Sequence, residues 1–268
     1  MFCRWYGCYG AGTRPLSLGS IYEDDLMKCL TLTDVRPDNI KLARDDQVRR
    51  VFQSTTELLG KEYMNFSEVV RTWLYIDDIL SWYPDCYRVR SEFFVTHQVF
   101  DGLVPVSTGI SGSNPAGSAL AAGFFAVAIK DRSVSLRGVP SPLQCPALQY
   151  GSSFGRAVEL STPDCRRLLI SGTASIDING HSVHPDDVGL QIDQTMKVVG
   201  VILNSCKMDW ENICRAIVYF KRPADYHLFD AYLVQQCIEV FPMLMVEADI
   251  CRDELLFEIE VDAISTEI

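Results

Sequence analysis

Three carboxyl groups stand at alternate positions near the end of the chain, in Phe257–Glu258–Ile259–Glu260–Val261–Asp262. The run is rich in β-branched and aromatic residues, so it reads as a strand with all three acids on one face. On a solvated face these are ordinary carboxylates. In a partly apolar cleft a carboxyl group has a raised pKa and can deliver a proton to a reacting carbon. The carboxylate left behind then steadies the cation it has made. Both fates are open to Glu258, whereas Glu260 and Asp262 are expected on the solvated face near the strand's edge.

Other reactive residues point away from metal and nucleotide chemistry. The ten cysteines include no CxxC pair, and no Cys/His group has zinc spacing. Several lie in apolar runs, as in Ile213–Cys214 and Gln236–Cys237–Ile238, and read as buried, reduced thiols. His181–Ser182–Val183–His184 has only His97 and His227 as further histidines and reads as a surface loop. Gly109, Gly112 and Gly117 lack dinucleotide-loop spacing and join strand to strand.

The scaffold that must position the acid strand is duplicated. Met64–Asn65–Phe66–Ser67–Glu68–Val69–Val70–Arg71–Thr72–Trp73–Leu74–Tyr75 aligns without a gap on Met208–Asp209–Trp210–Glu211–Asn212–Ile213–Cys214–Arg215–Ala216–Ile217–Val218–Tyr219, an offset of 144 residues (64 to 208). Helical periodicity recurs at the same offset, over Asp45 to Gly60 and Asp187 to Asn204, with Val48 matching Ile192 and Phe52 matching Met196. Further helices are expected over Trp82 to Val95, with Pro84 in its first turn, and over Pro223 to Gln236. Strands are expected at 66–76, 104–110, 120–129, 167–176, 213–220, 243–250 and 255–264. Residues 1–40 read as irregular. Residues 130–165, with Pro140, Pro142, Pro146 and Pro163, read as a connector.

The expected fold class is therefore α+β: two tandem units, each a mixed β-sheet with two helices on one face, divided into domains 1–140 and 141–268. The helix-free face of each sheet must be buried elsewhere, and a cleft between such units is a common ligand site. Setting Phe257 to Ile264 against Ala122 to Ile129 puts Glu258 opposite Gly123 and Glu260 opposite Phe125. The first copy has no acid on this strand. Arg71 and Arg215 are equivalent, so both are expected to serve the structure first. Tyr75 and Tyr219 share that position.

Composition sets outer bounds. The chain has 268 residues, 48% hydrophobic and 22% charged, with a net charge of −11. Such a charge repels phosphate backbones, so nucleic acid is not an expected partner. The longest apolar run, Ala119 to Ile129, is too short to span a bilayer, and Met1 to Gly12 has no signal-peptide core. A cytoplasmic location with no membrane partner is expected.

Arg167–Leu168–Leu169–Ile170–Ser171–Gly172–Thr173–Ala174–Ser175–Ile176, Asp187–Val188–Gly189–Leu190–Gln191 with Gln194–Thr195, the strand ending at Tyr219 and the closing Phe257–Glu258–Ile259–Glu260–Val261 resemble the YjgF/RidA family. That resemblance implies chorismate mutase-like units, which usually occur singly and as trimers. The doubling resembles a narrower group, the chorismatases. So do Arg71–Thr72–Trp73–Leu74–Tyr75, the segment from Tyr87 to Phe94, Ser107–Thr108–Gly109–Ile110, Ser153–Phe154–Gly155–Arg156–Ala157 and Ala248–Asp249–Ile250–Cys251–Arg252.

The second resemblance implies an enzyme that removes the enolpyruvyl group of chorismate as pyruvate, leaving a dihydroxycyclohexadiene or a hydroxybenzoate. No metal and no organic cofactor are implied. It makes Glu258 the general acid, and Arg90 and Arg156 the anchors of substrate carboxylates. Arginine suits that task because its fork matches a carboxylate in two hydrogen bonds. Arg71, Tyr75, Thr173, Ala174 and Cys251 are implied as further substrate contacts, with backbone N–H groups at Gly172–Thr173. The implied partner is a small carboxylate substrate, and the implied assembly a monomer or homotrimer. The group usually carries a longer N-terminal extension than this chain has. Two alternatives stay open. One is a RidA-like deaminase of enamines or imines, for which Phe241–Pro242–Met243–Leu244–Met245 lacks the expected Arg. The other is an inactive protein of the same fold that binds a small acid.

Overall fold

The structure, a computed structural model, describes residues 12–145 and 153–266. The start of the segment expected to be irregular, and Pro146, lie outside the described residues. The first half runs β1 (Thr13–Leu16), β2 (Gly19–Glu23), β3 (Met27–Val35), α1 (Arg44–Lys61), β4 (Val69–Ile76), α2 (Ile79–Thr96), β5 (Val106–Ser111) and β6 (Leu120–Ile129). The second runs β7 (Ser135–Val139), β8 (Ala157–Ser161), β9 (Arg166–Ala174), α3 (Val188–Ser205), β10 (Ile213–Phe220), α4 (Tyr226–Gln235), β11 (Met243–Glu247) and β12 (Phe257–Ser265). The strand orders are β1-β2-β3-β6-β4-β5 and β7-β8-β9-β12-β10-β11. One topology is used twice, and the fold is α+β in two tandem units. The offset of 144 holds at both ends of α1 and α3 and of β4 and β10.

Four expectations need correction. Much of residues 1–40 is β1 to β3, and the connector at 130–165 holds β7 and β8. These strands are short or interrupted by charges such as Lys28, Asp34 and Arg137, so their alternation is weak. Ladder bonds from β2 to β3, β3 to β6, β7 to β8 and β8 to β9 hold them, and that long-range pairing is invisible in a local pattern. The chain joins the second sheet at Ser135, ahead of the boundary expected at 140. Helix α2 begins at Ile79, so Pro84 lies inside it rather than in its first turn. The proline cannot donate to the carbonyl of Leu80, a loss confined to the start of the helix.

Each helix pair covers one face of its own sheet. Phe52 of α1 meets Phe66, Phe93, Phe94 and Phe124 at ring-centroid distances of 5.0–6.2 Å. Phe220, Phe229 and Phe257 form the matching cluster in the second unit. Each buried ring contributes about 1.5–3 kcal/mol. The helix-free faces pack on one another. Met27, Val70, Val106 and Val127 of the first unit meet Val158, Leu160 and Leu169 of the second. Ile110 of β5 packs with Ala174, Tyr219, Ala248, Ile250 and Leu255.

β5 is an edge strand of the first sheet, and unpaired edges invite partners. Both of its ends are stitched to the second unit. Gly155 donates its N–H to the carbonyl of Pro105 (2.9 Å), and Ser111 donates to the carbonyl of Asp249 (2.9 Å). Side chains bridge the middle, at Ser107 to Gly109, and there the two units part into a cleft.

Candidate functional site

Glu258 sits on β12, the strand shared by β9 and β10. Its neighbours across the ladders are Tyr219 on β10 and Ala174 on β9. A bulge in β9 makes room beside it. Ser171 and Gly172 together face the single residue Glu260, because the pairing jumps from Ile259–Thr173 to Val261–Ile170. A side chain at position 172 would overlap Oε1 of Glu258 and crowd Thr108 Cγ2 at 3.2 Å, so glycine there lets the Glu258 carboxyl keep its position. The same bulge recurs in the first unit, where Thr33 and Asp34 lie between the pairs Leu32–Phe124 and Val35–Ala122.

The cleft beside Glu258 is lined by Tyr83 and Arg90 of α2, Ser107 and Gly109 of β5, Phe154 and Arg156 before β8, Gly172, Ala174 and Ile176, and Cys251 and Arg252 after β11. Its volume is about 50 Å³. A second cavity of about 330 Å³ shares Phe154 and Arg156 as a common wall and is otherwise lined by residues such as Leu103, Val104, Gly138, Val139 and Pro140.

Glu258 is 5% exposed and makes no hydrogen bond to a described residue. Burial, and then the charge of Glu260, push its pKa up to about 8. Arg90 is 2% exposed. Its Nη1 donates to Ser107 Oγ at 3.1 Å, while Nε and Nη2 are buried without a partner among the described residues. Leaving a buried charge so under-bonded is costly, which marks a place prepared for an anion. Arg156 is 6% exposed and donates from Nε and Nη2 to the carbonyl of Cys145 at 3.2 and 2.9 Å. Burial pushes the Cys251 thiol up to about 12 and the Tyr83 phenol well above its ordinary range. Both are therefore neutral at neutral pH.

Five of the residues named from the sequence thus meet at one cleft: Glu258, Arg90, Arg156, Ala174 and Cys251. Three do not line it. Arg71 is 1% exposed and is bound up with Glu260 and Asp262. Tyr75 is 39% exposed and packs beside Gly112. Thr173 pairs with Ile259 of the helix-side core, and its hydroxyl donates to the carbonyl of Ser171 (2.9 Å). The backbone N–H of Gly172 is taken by Thr108 Oγ1 (3.2 Å), so it is not the free donor that was expected.

Sequence reading missed Tyr83, Phe154, Ile176 and Arg252 as cleft residues, and Gln144 as their support. Gln144 donates through Nε2 to the carbonyls of Ala174 and Ile176 at 3.2 and 3.0 Å, holding the end of β9 in place. Arg252 Nη1 donates to the Gly180 carbonyl (3.0 Å) and to Ser182 Oγ (3.1 Å). The only prior signal for Phe154 and Arg252 was membership of the quoted motifs.

Three further readings are overturned. Glu260 is fully buried rather than solvated, and Asp262 is only 18% exposed in its side chain, because the other sheet covers their strand face. The ladders also correct the alignment of the halves. Tyr75 pairs with Ala121 as Tyr219 pairs with Glu258, and Trp73 pairs with Gly123 as Ile217 pairs with Glu260. Ala121, not Gly123, is thus the counterpart of Glu258. Gly123 leaves space for Trp73, whose Cε3 would lie 3.2 Å from a Cβ there. Finally, Cys214 and Cys237 are exposed. Cys214 is the extra residue of a bulge in β10, and Cys237 has φ of 53° just past α4.

No group of His, Cys, Asp and Glu among the described residues could hold a metal ion. No described helix is long and apolar enough to cross a membrane. No protein-family model matches the chain, and no curated protein matches its sequence. Among solved structures it is similar to a chorismatase, with a TM-score of 0.69 and 18% identity over 94% of this chain and 78% of that one. The YjgF gene product of E. coli matches with a TM-score of 0.39 and 18% identity, over 47% of this chain and 97% of its own. A YjgF-family member from Neisseria meningitidis matches with a TM-score of 0.38 and 16% identity, over 50% and 98%. The fold is that of the chorismatase structure.

Proposed function

We propose that the chain is a chorismatase-like enzyme that cleaves the enolpyruvyl ether of chorismate to pyruvate and a dihydroxycyclohexadiene or hydroxybenzoate. One observation supports this above the rest. A buried carboxyl group with a pKa raised to about 8 shares a cleft with the buried, under-bonded guanidinium of Arg90. An acid kept neutral beside an under-bonded guanidinium suits protonation of a small carboxylate substrate.

In this reading Glu258 gives its proton to the enolpyruvyl methylene carbon. The oxocarbenium ion that forms is stabilised by the new Glu258 carboxylate in a site of low dielectric. Water adds to the cationic carbon, and the hemiketal collapses to pyruvate and the ring alcohol. Capture by a ring hydroxyl in place of water opens the route to the aromatic product. Arg90 and Arg156 hold the two substrate carboxylates, and Tyr83 and Ser107 offer hydroxyl groups beside them. The 50 Å³ cleft is smaller than chorismate, so we place the ring toward the 330 Å³ cavity behind Phe154 and Arg156.

The test is incubation of the purified protein with chorismate, following loss of its absorbance and release of pyruvate. Turnover that Glu258→Gln abolishes supports the proposal. Turnover of 2-aminoacrylate-type imines alone would make the protein a deaminase. Saturable binding of a small acid with no turnover of either would make it a binding protein.

A further inference from the structure

The duplicated arginines meet at the acid strand. Arg71 of β4 and Arg215 of β10 stand at the same position of the repeat, and both reach Glu260 and Asp262. Arg71 bonds Asp262 through Nη1 and lies 3.3 Å from Glu260 through Nη2. Arg215 Nη2 donates to Glu260 Oε1 at 2.6 Å, and its Nη1 to Asp262 Oδ2 at 3.2 Å. Trp73 Nε1 donates to Glu260 Oε1 at 3.1 Å, and Thr108 Oγ1 donates to Oε2. Both arginines also lie over the Trp73 ring, at 4.9 and 5.8 Å from its centroid. Only the second copy has acids to receive them, since Gly123 and Phe125 stand where Glu260 and Asp262 do.

We propose that this Arg71–Glu260–Asp262–Arg215 cluster is a positioning device for the cleft, fixing an anion next to Glu258 that adds to burial in holding Glu258 in its acid form. Order along the strand is what makes the cluster directional. Two cations and two anions balance overall. Glu260, however, is two residues from Glu258 on the same face, roughly 6.6 Å along β12, whereas both arginines are also tied to Asp262, the farther acid. Glu258 therefore meets the anion first and the cations beyond it. Burial opposes the charge of Glu260, but Arg71 and Arg215, with the Thr108 hydroxyl, outweigh it and keep its pKa below the usual carboxylate range. Glu260 is thus ionised and immobile wherever Glu258 has to act.

The other groups facing Glu258 do not supply this bias. Tyr83 and Arg90 face it from α2, Arg156 from the segment before β8, Tyr219 from β10, and Cys251 and Arg252 from the segment after β11. Tyr83, Tyr219 and Cys251 are neutral near pH 7. Arg90, Arg156 and Arg252 would favour the carboxylate. β9 and β5 present Gly172, Ala174, Ser107, Thr108 and Gly109, none of which titrates. Among the described residues, Glu260 is the one anion that acts on Glu258.

This inference rests on the reading of Glu258 as the acid, and its test uses no substrate. The Glu258 carboxyl is titrated by infrared spectroscopy of its C=O stretch in protein labelled with 13C-glutamate, and assigned by loss of the band in Glu258→Gln. The wild-type midpoint is expected near 8. Glu260→Gln leaves the cluster one charge positive and should lower the midpoint by about one pH unit or more. Arg215→Met removes a part-exposed cation (37%) and should raise it. Shifts of opposite sign support the proposal. Shifts of the same sign, or an unmoved midpoint in folded Arg215→Met, overturn it. Chorismate turnover, measured separately, decides the functional reading and leaves the titration result standing.

Discussion

Arg71 and Arg215 occupy the same place in two copies of one strand, 144 residues apart (71 to 215), and close on a single carboxylate, Glu260. The repeat has produced a heterologous pair of halves. The helix-free faces meet, one copy supplies all the acids, and one cleft forms where the edge of the first sheet meets the acid strand of the second. Breaking this buried cluster by removing one partner strands the other charge, which costs about 3–5 kcal/mol. Arg71→Met is accordingly expected to lower thermal stability far more than the part-exposed Arg215→Met, as read by calorimetry.

Glu258→Gln should reduce pyruvate release from chorismate by about 10²–10⁴-fold, the usual worth of a positioned general acid, with binding of the substrate retained. Equilibrium binding measured beside turnover separates the two effects. An unchanged kcat would remove Glu258 from the mechanism.

The pH dependence has a definite sign. Glu258 acts as an acid only while protonated, so kcat should fall as pH rises through about 8. Its folded-state pKa lies above its value of 4.5 for an ordinary glutamate. The contribution to stability is therefore fully present below about pH 4.5 and is lost as pH rises toward 8, because the unfolded chain releases the proton first. Glu258→Gln should outlast wild type in urea at pH 8, by an amount on the order of a few kcal/mol, and the gain should vanish near pH 4.

Arg90→Met should uncouple stability from binding. Removing a buried guanidinium with two nitrogen positions unpartnered among the described residues is expected to leave the unliganded protein as stable or more so. The same change should weaken binding of a small carboxylate by roughly tenfold or more, the loss of one charge-assisted contact. Thermal shift with and without ligand reads both quantities at once.

Gly172→Ala and Gly109→Ala make a matched pair. The first drives a methyl group into Glu258 Oε1, whereas the second meets only Tyr83, at 3.6 Å. Turnover should collapse in the first variant and survive in the second. Equal activity in both would mean that the bulge at Ser171–Gly172 does not shape the site.

Gly138→Leu probes the larger cavity. A Cβ at 138 meets Leu103 Cδ1 at 3.7 Å, an ordinary contact, so a larger side chain fills the space without touching Glu258 or Arg90. If the substrate ring lies there, KM for chorismate should rise several-fold with little change in folding. An unaltered KM would put the ring elsewhere.

Much of the architecture was legible because it is written in local periodicity. The helices carry a 3.6-residue apolar stripe, and β6 and β10 match their expected limits to the residue. Duplication doubled that signal, as Val48 with Ile192 and Phe52 with Met196 show. β1 to β3, β7 and β8 escaped notice because their pairing partners, not their own sequences, make them strands. The candidate site was half legible. Glu258, Arg90 and Arg156 stand out by residue type and motif, whereas Tyr83 and Gln144 carry no mark of their own.

The sequence by itself determined that there are two copies of an α/β unit and that only one closing strand bears acids. Which of those acids is bonded and which is free was decided only in three dimensions. Alternation puts Glu258, Glu260 and Asp262 on one face and cannot say what covers it. The first sheet does, bringing Arg71, Trp73 and Thr108 to Glu260 and Ser107 and Gly109 to the cleft that holds Glu258. Neighbours on one strand thereby acquire different charge states, because the groups that decide them come from distant segments: Arg215 lies 45 positions from Glu260, and Trp73 and Thr108 lie 187 and 152 away.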